Sequence, residues 1–214
     1  MKRKGTLEAR LAWTPGELAV LRKLSSPARI QEWVDGLVYR AEDEAVCPRH
    51  VIAERRAHCY DGALFAAAAL RRLGHPPALL DLRAVRDDDH VLALFRVDGH
   101  WGAVAKSNFV GLRFREPIYR TLRELVLSYF EVYFNTRREK TLREFSGPLR
   151  LAQFDRLGWM FRDEPVPHIS DRLDALRHFR VLTRRAERRL CPVDPRSMEA
   201  GMVGTLAEGI YKGR

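Results

Sequence analysis

Cys59 stands at the mouth of an alanine-rich run, RRAHCYDGALFAAAALRRLG, from Arg55 to Gly74. A cysteine at a helix start faces unpaired backbone N–H groups and the positive end of the helix dipole, and both favour thiolate over thiol. The same N–H groups stabilise the oxyanion that forms when such a sulfur attacks a carbonyl. A nucleophile of this kind needs a base, and a third group that holds the base in one tautomer. The chain offers His90 at the start of HVLALFRV, and Ser107 and Asn108 at the end of HWGAVAKSN. The competing reading makes Cys59 a small buried hydrophobe, the common fate of a free cysteine.

The elements around these residues decide whether they can meet. A helix is predicted from about Tyr60 to Leu73, with Leu64, Phe65, Ala68 and Leu73 toward a core, Gly74 at its stop and Pro76 and Pro77 beyond it. HVLALFRV and HWGAVAKS are joined by Asp98 and Gly99, a strong hairpin signal. If Val97 lies opposite His100, His90 falls opposite Ser107 and next to Asn108. Strict alternation then aims Ser107 at His90, whereas a bulge or a longer turn aims Asn108.

Further out, Thr14, Pro15 and Glu17 mark one helix start and Ser26 with Pro27 marks a second. ALLDLRAV alternates like a strand, with Leu80, Leu82 and Ala84 against Asp81 and Arg83. Thr121 and Glu124 open the helix LRELVLSYFEVYF, and the remainder, including SDRLDALRHFRVLTRRAERRL, reads as further helix. The order α-α-α-β-β-β-α-α is that of an α+β fold with segregated layers. Without an internal repeat or a low-complexity linker, residues 1–214 read as one domain with its core at about 45–135 and helical extensions on both sides.

AHCYDGALFAAAALRRLG followed by DDDHVLALFRVDGHWGAVAKSN resembles the core of the transglutaminase-like branch of the papain-like cysteine superfamily. The order matches over about Cys59 to Asn108: cysteine at the start of the core helix, histidine at the start of a following strand, a third member on the next strand. The resemblance implies a helix packed on a small antiparallel sheet, with Cys59 as nucleophile, His90 as base and Asn108 as the papain-type third member. An Asp is usual there in transglutaminases; Asp98 sits in the turn, far from the imidazole. An Asn orients the ring but stabilises the imidazolium less.

Other clusters are weighed beside this one. Cys47, His50, His58 and Cys59 form a CPRH…HC set with ligand types that suit zinc, but His58 and Cys59 are neighbours whose side chains diverge. No metal or cofactor is expected, and Cys47 reads as a loop residue. His58, beside the nucleophile, could tune its pKa but reads first as an exposed or capping histidine, and Asp87, Asp88 and Asp89 could bind a cation or line the substrate cleft but read first as a solvated turn before a strand. Tyr129, Phe130, Tyr133, Phe134 and Trp101 read as core. The loop NFVGLRFREPIYR, with Arg113, Arg115 and Arg120, could cover the site or bind an anionic substrate group.

Composition limits the rest. The chain is 46% hydrophobic and 31% charged, with no apolar stretch near the roughly 20 residues of a membrane span. The start, MKRKGTLEARLAWTPGEL, meets Glu8, Arg10 and Pro15 where an export signal needs an apolar run. Three cysteines are too few for a disulfide framework, which points to a reducing compartment and the cytoplasm. The net charge of +10 comes from dispersed arginines, densest at Arg137, Arg138, Lys140 and at Arg184, Arg185, Arg188, Arg189. These read as solvated helix faces, which disfavours a nucleic-acid partner. The expected function is acyl transfer or hydrolysis at an amide or ester of a peptide, protein or small molecule, through Cys59, His90 and Asn108. The alternative is an inactive relative that keeps the fold as a binding module.

Overall fold

Thr14 and Glu17 close a reciprocal capping box at the first helix, α1 (Pro15–Lys23), and Ser26 caps the second, α2 (Pro27–Asp35), as the sequence predicts. The computed structural model describes residues 11–41 and 44–211; the first ten residues of the stretch read for an export signal lie outside them. A two-residue strand β1 (Val38–Tyr39) runs parallel to β2 (Arg56–Ala57), with the short helix α3 (Pro48–Glu54) between them. Next comes α4 (Cys59–Arg72), which starts one residue before the predicted helix. Its stop is a Schellman turn: His75 N–H donates to the Leu70 carbonyl and Gly74 N–H to that of Arg71, with Gly74 at φ +91°.

Three strands follow, β3 (Ala78–Ala84), β4 (His90–Val97) and β5 (His100–Val104). The hairpin register is the expected one, with Val97 opposite His100 and Ala93 opposite Val104. The ladder ends there, however, so Ser107 never pairs with His90. Instead His90 lies opposite Leu82 of β3.

The second half departs from the helical reading. The loop after β5 contains an edge strand, β6 (Arg115–Tyr119), and α5 (Leu122–Phe130) stops before Tyr133 and Phe134. Those two rings are nevertheless buried, as are Tyr129 and Phe130. Strands β7 (Leu142–Ser146), β8 (Leu149–Arg150) and β9 (His178–Arg180) extend the sheet, with α6 (Pro165–Asp174) before β9 and the short helices α7 (Arg184–Glu187) and α8 (Pro195–Gly201) after it. SDRLDALRHFRVLTRRAERRL is therefore broken into helix, strand and a single turn of helix. The strand forms because Phe179 pairs with Phe145 of β7 and their rings meet at a tilt, centroids 5.7 Å apart, a contact invisible to local periodicity.

The result is a mixed α+β fold: an antiparallel sheet in the order β6-β5-β4-β3-β7-β9, with β8 also paired to β3 and helices around it. Alternation along β4 sends Val91, Ala93 and Phe95 to a core shared with α4, and Leu92 and Leu94 to a second core under α5. Both faces of the sheet are covered. Tyr60 through Leu70 are buried without interruption, so α4 is apolar all round and its alanines allow close approach on every side. Among the described residues no helix is long and apolar enough to cross a membrane.

Gly62, three residues into α4, sets the position of the helix start. A Cβ on Gly62 would lie 2.4 Å from Cβ of Lys106, in the segment leaving β5. Gly62→Ala is expected to lower unfolding stability by about 1–3 kcal/mol in urea titrations. It is also expected to slow alkylation of Cys59, whereas a core defect at Gly102, where a Cβ would meet the Phe95 ring at 2.4 Å, should cost stability without that loss.

Candidate active site

Cys59 is the first residue of α4 and His58 is its N-cap. The imidazoles of His58 and His90 both act on the sulfur and favour its thiolate. Its other polar neighbour is the Asp89 carbonyl, 3.8 Å away. The residue is half-buried and opens on a cleft of about 570 Å³ whose lining includes Tyr39, His58, Asp87, His90, Asn108 and Tyr133.

Each imidazole has a defined tautomer. Nε2 of His90 lies 2.8 Å from the Leu112 carbonyl, which can only accept, so Nε2 carries the proton and Nδ1 is left for the sulfur. Nδ1 of His58 has two neighbours, the Tyr60 N–H at 3.0 Å and Oδ1 of Asp61 at 2.6 Å. One nitrogen cannot accept from the first while donating to the second. The shorter, charge-assisted contact decides, so Nδ1 is protonated toward Asp61 and Nε2 faces Cys59.

Asp61 is fully buried and also pairs with Nε of Arg40 at 3.4 Å, and Arg40 in turn pairs with Glu54. Burial works against charge at both members of the His58–Cys59 pair and is the largest single influence on each. It is outweighed at Cys59 by hydrogen bonds and positive charge from His58 and His90, which bring the thiol down to about 6. At His58 the Asp61 carboxylate and the Cys59 thiolate outweigh it, and the imidazole rises to about 10. Between those values the resting pair is thiolate and imidazolium.

The sequence-predicted residues are distributed as follows. Cys59 and His90 are brought together. Asn108 is not the partner of His90: its Nδ2 donates to the Leu206 carbonyl at 2.9 Å and its Oδ1 accepts the Leu206 N–H at 2.9 Å. The amide thus clamps the C-terminal segment against the cleft, and both of its polar ends are occupied. Ser107 accepts the Phe109 N–H at 2.9 Å and does not reach His90 either. The group that His90 Nε2 meets is the Leu112 backbone carbonyl. No residue type announces it, because every residue carries a carbonyl.

His58, read from sequence as an exposed or capping histidine, is the N-cap of α4; it is partly buried and its imidazole also belongs to the site. The signal was an acid three residues after the cap, the capping-box spacing with imidazole in place of hydroxyl. The acidic triplet lies in the turn before β4 as expected, with Asp88 and Asp89 exposed, and it also lines the cleft: Asp87 accepts the Thr141 hydroxyl at 2.7 Å and is raised by burial to about 6, and Asp88 offers its carbonyl to the Tyr133 hydroxyl at 2.6 Å. From the loop after β5, Phe109 and Leu112 line the cleft, but its arginines do not. Arg113 pairs with Asp35 at 2.8 Å, and Arg115 bonds Ser128 while lying over the Tyr129 ring. The CPRH…HC set is not assembled; Cys47 and His50 meet Asp163 instead.

No protein-family model matches the chain, and no curated protein matches it.

Two outcomes follow from this geometry. Iodoacetamide should alkylate Cys59 with a rate that rises through about pH 6. The sign is set by both partners: the thiol lies below its unfolded value, so the pair is lost as pH falls through about 6, and the imidazole lies above its own, so the pair is lost as pH rises through about 10. His58→Asn should move the inflection upward. Asn108→Ala should leave alkylation near the parent rate while the Leu206 N–H gains hydrogen exchange; a loss matching that of His90→Ala would restore Asn108 as the orienting group.

Proposed function

We propose that this protein is a cysteine-dependent acyltransferase or hydrolase acting on an amide or ester bond, similar in kind to the transglutaminase-like branch of the papain-like superfamily. The observation that carries the reading is the sulfur of Cys59 acted on by two oriented imidazoles at the floor of an open cleft.

The chemistry divides between the two histidines. His58, tied to a buried carboxylate, stays charged and holds the thiolate. His90, tied to a neutral carbonyl, moves protons. The thiolate attacks the substrate carbonyl, forming a carbon–sulfur bond, and the first-turn N–H groups of α4 face the oxyanion. Collapse breaks the amide or ester bond, and the leaving nitrogen or oxygen takes from His90 the proton that the Cys59 thiol had given to its Nδ1, which leaves His90 neutral. Water or an amine then gives its proton to neutral His90 as it attacks the thioester, and the thiolate is expelled. Hydrolysis and transfer differ only in this second nucleophile.

The test is a chromogenic acetyl ester followed by intact-protein mass spectrometry. A single acetyl adduct on Cys59, absent in Cys59→Ser, is the expected result. His90→Ala should slow acylation by about 10²–10⁴-fold. A cysteine that iodoacetamide labels rapidly but that no activated ester acylates would remove the enzyme reading and favour a binding module.

A further inference from the structure

Away from the cleft, three side chains combine the donor types of a metal centre. Cys47 caps α3, His50 lies in its first turn, and Asp163 comes from the loop ahead of α6. One sulfur, one ring nitrogen and one carboxylate oxygen lie within 4.8 Å of one another. Three groups converge on the single carboxylate. The Cys47 N–H donates to Oδ1 at 2.7 Å, the Cys47 sulfur lies within 4.8 Å of the carboxylate and of the ring nitrogen, and Nδ1 of His50 lies 2.6 Å from Oδ2. The backbone contact orients the carboxylate. The thiol and the imidazole become ligands when a cation replaces their protons.

We propose that Cys47, His50 and Asp163 form a binding site for a borderline-soft divalent cation, zinc being the best match, with water as the fourth ligand. Thiolate, imidazole and carboxylate are the zinc donor set, whereas calcium and magnesium need a shell of oxygens that this cluster lacks. Tetrahedral bond lengths put nitrogen and oxygen ligands about 3.3 Å apart, so the His50–Asp163 contact must open by less than about 1 Å. Those two side chains are 46% and 39% exposed and free to adjust, while the Cys47 sulfur is fixed at the buried floor. The dication meets one thiolate and one carboxylate, so charge balances. Binding forms the metal–sulfur bond and releases the thiol proton to solvent, along with any proton shared by His50 and Asp163. The site would join α3 to the α6 loop, and α3 leads through β2 directly to His58 and Cys59.

The experiment uses the full chain carrying Cys59→Ser and Cys191→Ser, which leaves Cys47 as the remaining thiol and removes the cleft sulfur as a competing ligand. Cobalt(II) serves as the spectroscopic probe. One equivalent should bind with a near-ultraviolet sulfur-to-cobalt charge-transfer band, release protons and be displaced by zinc. His50→Ala and Asp163→Asn on the same background should each weaken binding by roughly tenfold or more. Because Cys47→Ser removes a buried group and could prevent folding, these two partly exposed positions decide the matter. Absence of the band up to millimolar cobalt, or a band that survives both substitutions, overturns the site and leaves a hydrogen-bonded tie.

Discussion

The fully buried carboxylate of Asp61 is the charge on which the arrangement around Cys59 depends. Its compensation comes from Arg40 on one side and the His58 imidazole on the other. With Glu54 beyond Arg40 and Cys59 beyond His58, five groups alternate in sign from the last residue of α3 to the first of α4. Removing one member of a buried pair leaves its neighbour uncompensated, at a cost of about 3–5 kcal/mol. The buried carboxylate thus helps to hold the His58 imidazole in its charged form beside Cys59.

The sheet supplies the second constraint. β4 carries His90 at its first position, and the strand is locked between β3 and β5 with both faces buried. α4 is held against that sheet by a helix surface of small residues, with Gly62 against Lys106. Strand and helix thus bring two side chains from separate elements to one sulfur without a flexible joint. The cleft walls are different in character, since they are assembled from the segment after β5, the turn after α5 and the C-terminal segment. From residue 194 to 211 no side chain is buried, and the Asn108 amide is one of the few specific holds on that stretch.

This contrast explains what could be read from the amino-acid order. The helix at Cys59, its Gly74 stop, the Asp98–Gly99 hairpin and the position of His90 follow from local rules of capping, turn chemistry and alternation. The hairpin register was legible to its last pair and no further, because the chain leaves the ladder after Val104. Leu112 was illegible because it acts through its backbone. Asn108 misled because its partner, Leu206, lies 98 residues away in sequence. The strand at Phe179 was read as helix because short polar segments take their conformation from the edge they dock on, here β7. His58 had a legible signal in Asp61, but its weight came from burial, which no spacing reveals.

A sulfur held as thiolate is also a reductant. Thiolate character and access govern the first step of cysteine oxidation, to sulfenic acid, and Cys59 has both at neutral pH while Cys47 is closed off in the interior. Peroxide would therefore find Cys59 first, and the product would carry a hydroxyl between two imidazoles where the negative sulfur had been. The charge chain that favours the thiolate exposes it to oxidants as well. A protein built this way keeps its working form only while small thiols turn sulfenic acid back faster than a second peroxide carries it to the sulfinic stage.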